Sequence, residues 1–450
     1  MQHQPSDLLF ASAAPPRPTL VRYGVLAFVC SLALLLYIDR VCIGQAANAI
    51  SRDLQLTNTH LSWINIAFTI SYCLFEVPTG HWGDRFGSRR VIARIVVWWS
   101  IFTALTGAAF GLWSLFVIRF IFGAGEAGAF PNAARVVTRW FPAHERGLAR
   151  GAITTTSQLG ASIGMPLSAS LIVLVGWRWM FVIFGALGIV WAAAFYLWYR
   201  DNPADHSAAN QAERDHIGVA TAAAAHEHLP IPWLRVVCSP NTWLLGTIMS
   251  VGAALFYLLF SWYPKYLKDV HYISEQNSGW LTGLVIAGGA LGCIAGGVVS
   301  DLIIRRTSER RWTRRLVGGS MLCLSALSVG CFRFCEHPLA TALCCAASLF
   351  FLQVSIPTWW TVVAEISGPH GAAMFGLMNG LGGVGILTMN LLVGRIVDAR
   401  IAARIPPIEI WRPVFDGVAI ALAAGAVCWL FVDATRSIVE PTPTKHQPET

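Results

Sequence analysis

The sequence predicts an all-α membrane protein with twelve transmembrane helices in two pseudo-symmetric six-helix bundles. Three observations carry this. Of the 450 residues, 55% are hydrophobic and only 12% charged, with a mean hydropathy of +0.56, whereas soluble domains carry about 25% charged residues. Apolar runs of about 20 residues, each able to cross a hydrocarbon core of roughly 30 Å, recur along the whole length. The runs divide six and six around one polar stretch, and a charged, glycine-containing pattern follows the second run of each half.

In chain order, a polar, Pro-rich tail over 1–20 lacks a signal-peptide layout and is expected to be disordered. The first bundle, 21–199, holds spans near 21–49, 60–80, 90–109, 112–137, 148–173 and 178–199. The first of these is too long for a simple crossing, so it tilts or continues outside the bilayer. Residues 200–240, rich in Asp, Asn, His, Pro and Ala, read as a linker with a short surface helix around Glu213–Ala225. The second bundle, 241–433, holds spans near 241–267, 278–303, 314–333, 338–364, 371–396 and 413–433, and a polar tail occupies 434–450.

Loop charge orients the chain. The loop GHWGDRFGSRR, the cluster Arg139, Arg146 and Arg150, and the loop RRTSERRWTRR all fall on the side of both termini. The positive-inside rule makes that side cytoplasmic, and compact loops suit a bacterial inner membrane. The segment Asp398–Arg412, with three Arg on the opposite side, conflicts mildly. The net charge of +8 is loop charge and does not indicate nucleic-acid binding. The eleven Cys form no CxxC pair and no metal-ligand spacing with His, so they read as small buried thiols, with no metal or organic cofactor. His81, His144, His271 and His370 lie in or near loops and read as solvated.

Charge inside the apolar runs is the informative exception. Asp39 and Arg40 end the first run, and Arg119 and Glu126 lie within the fourth. Ionisable groups at membrane depth are expensive and mark functional interiors. Arg119 and Glu126, two helical turns apart, share a face. Asp39 lies roughly 25 Å along its span, at a depth matching Arg119, so the two can pair. A desolvated carboxylate that alternates between water-facing states can load and release a proton. The alternative is a static tie between helices. Arg40 has no evident partner. Its rigid fork suits a substrate carboxylate, and the alternatives are outward snorkelling or neutralisation of Asp39. Glycine runs at 123–128, 288–297 and 380–385 have the small-residue spacing that lets helices approach and slide.

The pattern Gly80-x-x-x-Asp84-Arg85-x-Gly87-x-Arg89-Arg90, echoed by Gly297-x-x-x-Asp301 with Arg305-Arg306, indicates a duplicated six-helix unit. With YIDR at 37–40, RFIFGAGEAGAFPNA at 119–133, GWRWMF at 176–181, FSWYPKYL at 260–267 and FGLMNGLGGVG at 375–385, the chain resembles the major facilitator superfamily. Within it, the resemblance is to the anion:cation symporters of sugar acids, tartrate, phthalate and sialic acid, over roughly residues 20–435.

The resemblance implies that Asp39 and Glu126 carry protons, with Arg119 beside them. It implies that Gly80, Asp84, Arg85, Gly87, Arg89 and Arg90, together with Asp301, form a cytoplasmic gate latch, an inter-bundle ion pair made in one conformation. It implies substrate contacts for Tyr37, Tyr72, Gln158 and Asn379, with Trp360 flanking the pocket or packing in the core. For each polar group the bland alternative is an interhelical hydrogen bond. Two departures stand out. Glu365, in VVAEISGPHG, stands where relatives commonly show an Asp and a Pro. Asn390 stands where relatives often have Pro, which puts the bend of that span in doubt and offers the cavity a polar group.

The expected function is secondary active transport of an organic carboxylate anion with protons, by alternating access, in a monomer whose partners are the substrate and the lipid bilayer. An exporter or exchanger of the same fold would favour cationic substrates, which two arginines argue against. A membrane enzyme or sensor would need a nucleophile, metal or oxyanion cluster, or an output domain longer than this linker.

Overall fold

The computed structural model describes residues 18–142, 144–218, 232–306, 310–367 and 371–434. Among them there is no strand. The long helices are α1 (Val21–Leu54), α2 (Asn58–Phe86), α3 (Ser88–Thr106), α4 (Leu112–Glu126), α5 (Ala129–Trp140) and α6 (Arg146–Trp198) in the first half. Two short helices, α7 (Gln211–Ile217) and α8 (Trp233–Cys238), lie in the linker. The second half contains α9 (Pro240–Tyr257), α10 (Tyr263–His271), α11 (Glu275–Arg306), α12 (Arg310–Cys331), α13 (Pro338–Ser367), α14 (Gly371–Ala402) and α15 (Pro407–Phe431).

Nine stretches among the described residues are long and apolar enough to cross a membrane. The count reaches twelve for physical reasons. One stretch, Arg146–Trp198, is two crossings joined at Gly176, whose φ of +81° is non-helical, at the break the sequence predicts between 173 and 178. The other two crossings are α2, which opens on the polar Asn58-Thr59-His60, and α3, which opens on Ser88-Arg89-Arg90. The fourth crossing bends at Ala127-Gly128, between α4 and α5. The seventh relaxes into a π-helical turn, Leu258–Trp262, between α9 and α10. Such a turn inside a crossing often accompanies a functional site. Helix α1 is one continuous helix of 34 residues, about 51 Å long, so it overruns the hydrocarbon as expected. Large side chains such as Leu174, Val190, Leu197, Trp113 and Ile420 stand exposed around the outside. That much outward apolar surface suits lipid.

Thr19 is fastened rather than free: its backbone N–H donates to Asn210 Oδ1 at 3.3 Å. Residues 1–17 and 435–450 lie outside the described residues. The expected linker helix is shorter than Glu213–Ala225, since α7 ends at Gly218 with φ +63°, and residues 219–231 are outside the described set. Asn210 caps α7 by accepting from Glu213 N at 2.8 Å. Glu213, fully buried, binds the Arg22 guanidinium at 2.8 Å. The linker is thereby tied to the first bundle.

The two halves meet mainly at the face opposite the termini, here the distal face. Gln45 Nε2 donates to Glu275 Oε1 at 2.7 Å, and Lys268 Nζ bridges Glu275 and the Gln45 carbonyl. Asn48 joins Lys265 and Asp269. Asp398 receives four bonds from Asn58 and Thr59, between 2.6 and 3.1 Å. It thereby caps the N-terminus of α2 from the other half and gives the charged distal segment, a mild conflict in the loop-charge reading, a structural use. Asn65 reaches Ser261 and Asn390, and Ser162 reaches the Gly283 carbonyl. Among the described residues, the hydrogen bonds between halves lie in this distal part, with one exception on the other side, Asn379 to Glu76. The distal face is closed.

Helix α14 runs unbroken through Asn390, which is fully buried. Asn390 accepts from Trp262 Nε1 at 2.8 Å and gives its own amide to Ile386 O. It is therefore part of the closed seam between halves and not a cavity group.

Candidate functional site

Three helices of the first half, α1, α2 and α4, build the group around the intramembrane charges. Asp39 and Arg40 are consecutive on α1, so their side chains leave the helix about 100° apart and meet different neighbours. Arg40 pairs directly with Glu126 at the end of α4. Its guanidinium lies 4.6 Å from the Tyr72 ring centroid on α2, 5.4 Å from Tyr37 and 5.6 Å from Phe68. Three aromatic faces around one guanidinium give cation–π support that strengthens as water is excluded. The pair leaves two buried atoms unused: Arg40 Nη2 and Glu126 Oε2 have no hydrogen-bond partner. The pair thus keeps one donor and one acceptor atom without a partner.

The expected Asp39–Arg119 pair is not made: neither residue forms an ion pair among the described residues. Arg119 is 2% exposed, with its guanidinium 4.2 Å from the Phe122 ring and 5.2 Å from the Phe68 ring, and its Nε has no hydrogen-bond partner. Asp39 is 4% exposed, with Glu126 and Arg119 as its charged neighbours. Arg119 is thus a buried cation held by ring faces rather than by an ion pair.

The remaining predicted residues divide. Tyr37 and Tyr72 join the Arg40 group, and Tyr37 also meets Phe256 of the second half edge-to-face at 6.4 Å. Asn379 faces α2, donating its amide to both oxygens of Glu76 at 3.0 and 3.1 Å. Gln158 is buried on α6 with Oε1 unpartnered and makes no hydrogen bond to the Arg40 group. Trp360 stands 48% exposed and packs on Phe375 at 4.6 Å. His144 is largely exposed, as expected, but His271 is half-buried and bonded to the Tyr266 hydroxyl at 2.9 Å.

Gly80, Asp84 and Asp301 lie outside the residues whose surroundings are described, as do His81 and His370. The rest of the motif is used within the first half. Gly87 has φ +81°, and a Cβ there would come within 2.5 Å of Asp201 Oδ2, so only glycine fits. Arg89 takes Asp201 through its backbone N–H at 3.0 Å and the Tyr196 carbonyl through Nε at 2.8 Å. Arg85 and Arg90 are exposed. None of these described motif residues forms an ion pair with the other half, in keeping with contacts concentrated at the distal face.

Two residues escaped the sequence reading. Glu76 is a fifth ionisable side chain inside an apolar span, in FEVPTG, and the criterion that singled out Glu126 applies to it equally. Tyr257, buried at the end of α9 and in the field of Arg119, has no sequence signal beyond a polar group in an apolar run.

A family model described as Major Facilitator Superfamily matches residues 29–389. A probable sulfoacetate transporter of Cupriavidus necator is 28% identical, over 93% of this chain and 96% of its own length. A D-galactonate transporter of Escherichia coli is 27% identical, over 87% and 92%. A probable galactarate/D-glucarate transporter of Bacillus subtilis is 28% identical, over 87% and 89%. Among solved structures, a bacterial homologue of the human lysosomal transporter Spinster, inward-facing and occupied, superposes with a TM-score of 0.73 at 19% identity, covering 94% of this chain and 99% of that one. A D-xylose–proton symporter gives 0.70 at 15% identity, covering 93% and 99%. At these identities the solved structures speak for the fold.

Proposed function

The chain belongs to the major facilitator superfamily of membrane transporters, and on that premise we propose that it carries an organic carboxylate anion together with protons by alternating access. The observation that carries this reading is the Arg40–Glu126 pair with its two unused atoms, Nη2 and Oε2. Glu126 occupies the arginine fork that a substrate carboxylate would use. A proton on Glu126 removes the competing charge and leaves Arg40 free to bind the anion bidentately. Deprotonation restores the internal pair and expels the anion. Arg119 supplies a second positive charge, and Asp39 beside it is a second proton acceptor. Proton and substrate are thereby linked, as a symporter requires.

The relatives support the anion class, since their names specify sulfoacetate, galactonate and galactarate/glucarate. The positive loops on the side of both termini support a cytoplasmic location for the termini, and the bacterial relatives support an inner membrane. The closed distal face then corresponds to an inward-facing conformer of an importer acting as a monomer. Tyr37 and Tyr72 line the anion site, and Gln158 and Asn379 complete it when the bundles close.

The test is uptake into reconstituted vesicles under an inward proton gradient, with a panel of labelled carboxylic acids. The proposal expects one class of acid to accumulate and a protonophore to abolish the accumulation. Equilibration without accumulation would reduce the protein to a uniporter or exchanger.

A further inference from the structure

The exchange of Arg40 between Glu126 and a substrate has no use for a third carboxylate, yet the interior holds one. Glu76 sits on α2 one turn beyond Tyr72, whose ring lies against the Arg40 guanidinium. Residues four apart on a helix share a face, with Cβ atoms about 5–6 Å apart. Glu76 is therefore displaced from the Arg40 anion site by one helical turn toward the terminal side, within reach of the Arg40 charge. Its two oxygens accept from Asn379 Nδ2 of the other half, the one pair of described inter-half hydrogen bonds on that side. Glu76 is only partly buried and Asn379 is exposed, so the carboxylate is not sealed inside the protein.

An ionised carboxylate only accepts hydrogen bonds, and its two oxygens offer about four lone-pair sites. A single amide nitrogen leaves most of that capacity open. Such a group attracts a hydroxyl or ammonium and repels a second carboxylate or sulfonate. With Asp39 and Glu126 protonated as the anion binds, Arg40 and Arg119 against Glu76 leave one net positive charge, which a monoanion balances and a dianion exceeds.

The geometry points to Glu76, held by Asn379, as the residue that reads the end of the substrate opposite the anion bound by Arg40. It selects monoanions that carry a hydrogen-bond donor at that end and rejects dianions. This inference rests on the proposed anion transport and adds its specificity.

The experiment is competition against a transported acid in vesicles. The competitors are straight-chain acids of graded length, each presented as the plain monoacid, the ω-hydroxy acid, the ω-amino acid and the diacid. Wild type and Glu76→Gln are compared; the glutamine keeps an acceptor for the Asn379 amide. In wild type the ω-hydroxy or ω-amino acid is expected to compete on the order of tenfold better than the diacid, the scale of one hydrogen bond to a charged group. Glu76→Gln should bring the diacid to parity or above. A wild-type protein that takes diacids as well as hydroxy acids overturns the inference, whatever the variant does. A ranking unchanged by Glu76→Gln also overturns it. If no acid is transported or competes at all, it is the anion-transport reading that fails, and the two failures are told apart by that result.

Discussion

Arg40 and Glu126 close on each other across the first bundle, while Arg119, on the same helix face as Glu126, is held by aromatic rings without an ion pair. The protein thus keeps one arginine in an ion pair and one outside any. Breaking a buried ion pair by removing one member costs about 3–5 kcal/mol, because the other charge is stranded. On the proposed mechanism, the pair dissolves at low cost only when a proton and an anion arrive together, which is the condition for coupling.

Glu126→Gln removes the charge without removing the shape. Gradient-driven accumulation should fall to background while exchange of labelled for unlabelled acid persists. Parallel uptake and counterflow assays separate the two. Accumulation that still follows the proton gradient would place the coupling elsewhere.

Arg40→Lys keeps the charge and loses the fork. A lost charged hydrogen bond is worth about 1.5–3 kcal/mol, so the KM for the anion should rise roughly tenfold or more, with a smaller change in kcat. Initial-rate kinetics over a range of acid concentrations check this.

Asp398→Ala removes the cap that the second half places on α2. The freed N–H groups of Asn58 and Thr59 should weaken the distal seam by about 1–2 kcal/mol. Hydrogen exchange over residues 58–65 should quicken on the order of tenfold, while α13, remote from the seam, is unchanged.

Linker docking should be acid-labile. Burial alone raises the Glu145 carboxyl, but hydrogen bonds and charge from Arg22 and His216 outweigh it and hold the group below its ordinary value. A depressed carboxylate stabilises the folded state above its unfolded value, about 4.3. That contribution is lost as pH falls through the lower folded value. Proteolysis or hydrogen exchange at α7 should therefore increase on strong acidification. Glu145→Gln should show the loosened linker already at neutral pH.

The fold was legible because its cause is one-dimensional. Twenty-residue apolar runs and loop arginines need no knowledge of packing, and even the break at Gly176 fell between the predicted spans. The candidate site was legible in its members more than in its pairings. Asp39 and Arg40 differ by one residue in sequence and by about 100° around α1, so depth alone matched Asp39 with Arg119 when Arg40 was the residue that met a carboxylate. Asn390 looked like a cavity group because a polar side chain in a span has two possible destinations, and only the inter-half seam with Asn65 and Trp262 distinguishes them. Glu76 was overlooked beside the motif that follows it.

The central claim is that Glu126 and the anion compete for Arg40, and the most direct test is anion affinity as a function of pH in wild type and Glu126→Gln. The account predicts that wild-type affinity tightens as pH falls, because binding takes up a proton. It predicts that the variant binds at least as tightly as wild type near neutrality and with a shallower pH slope. An unchanged slope in Glu126→Gln, or weaker binding at every pH, would contradict it.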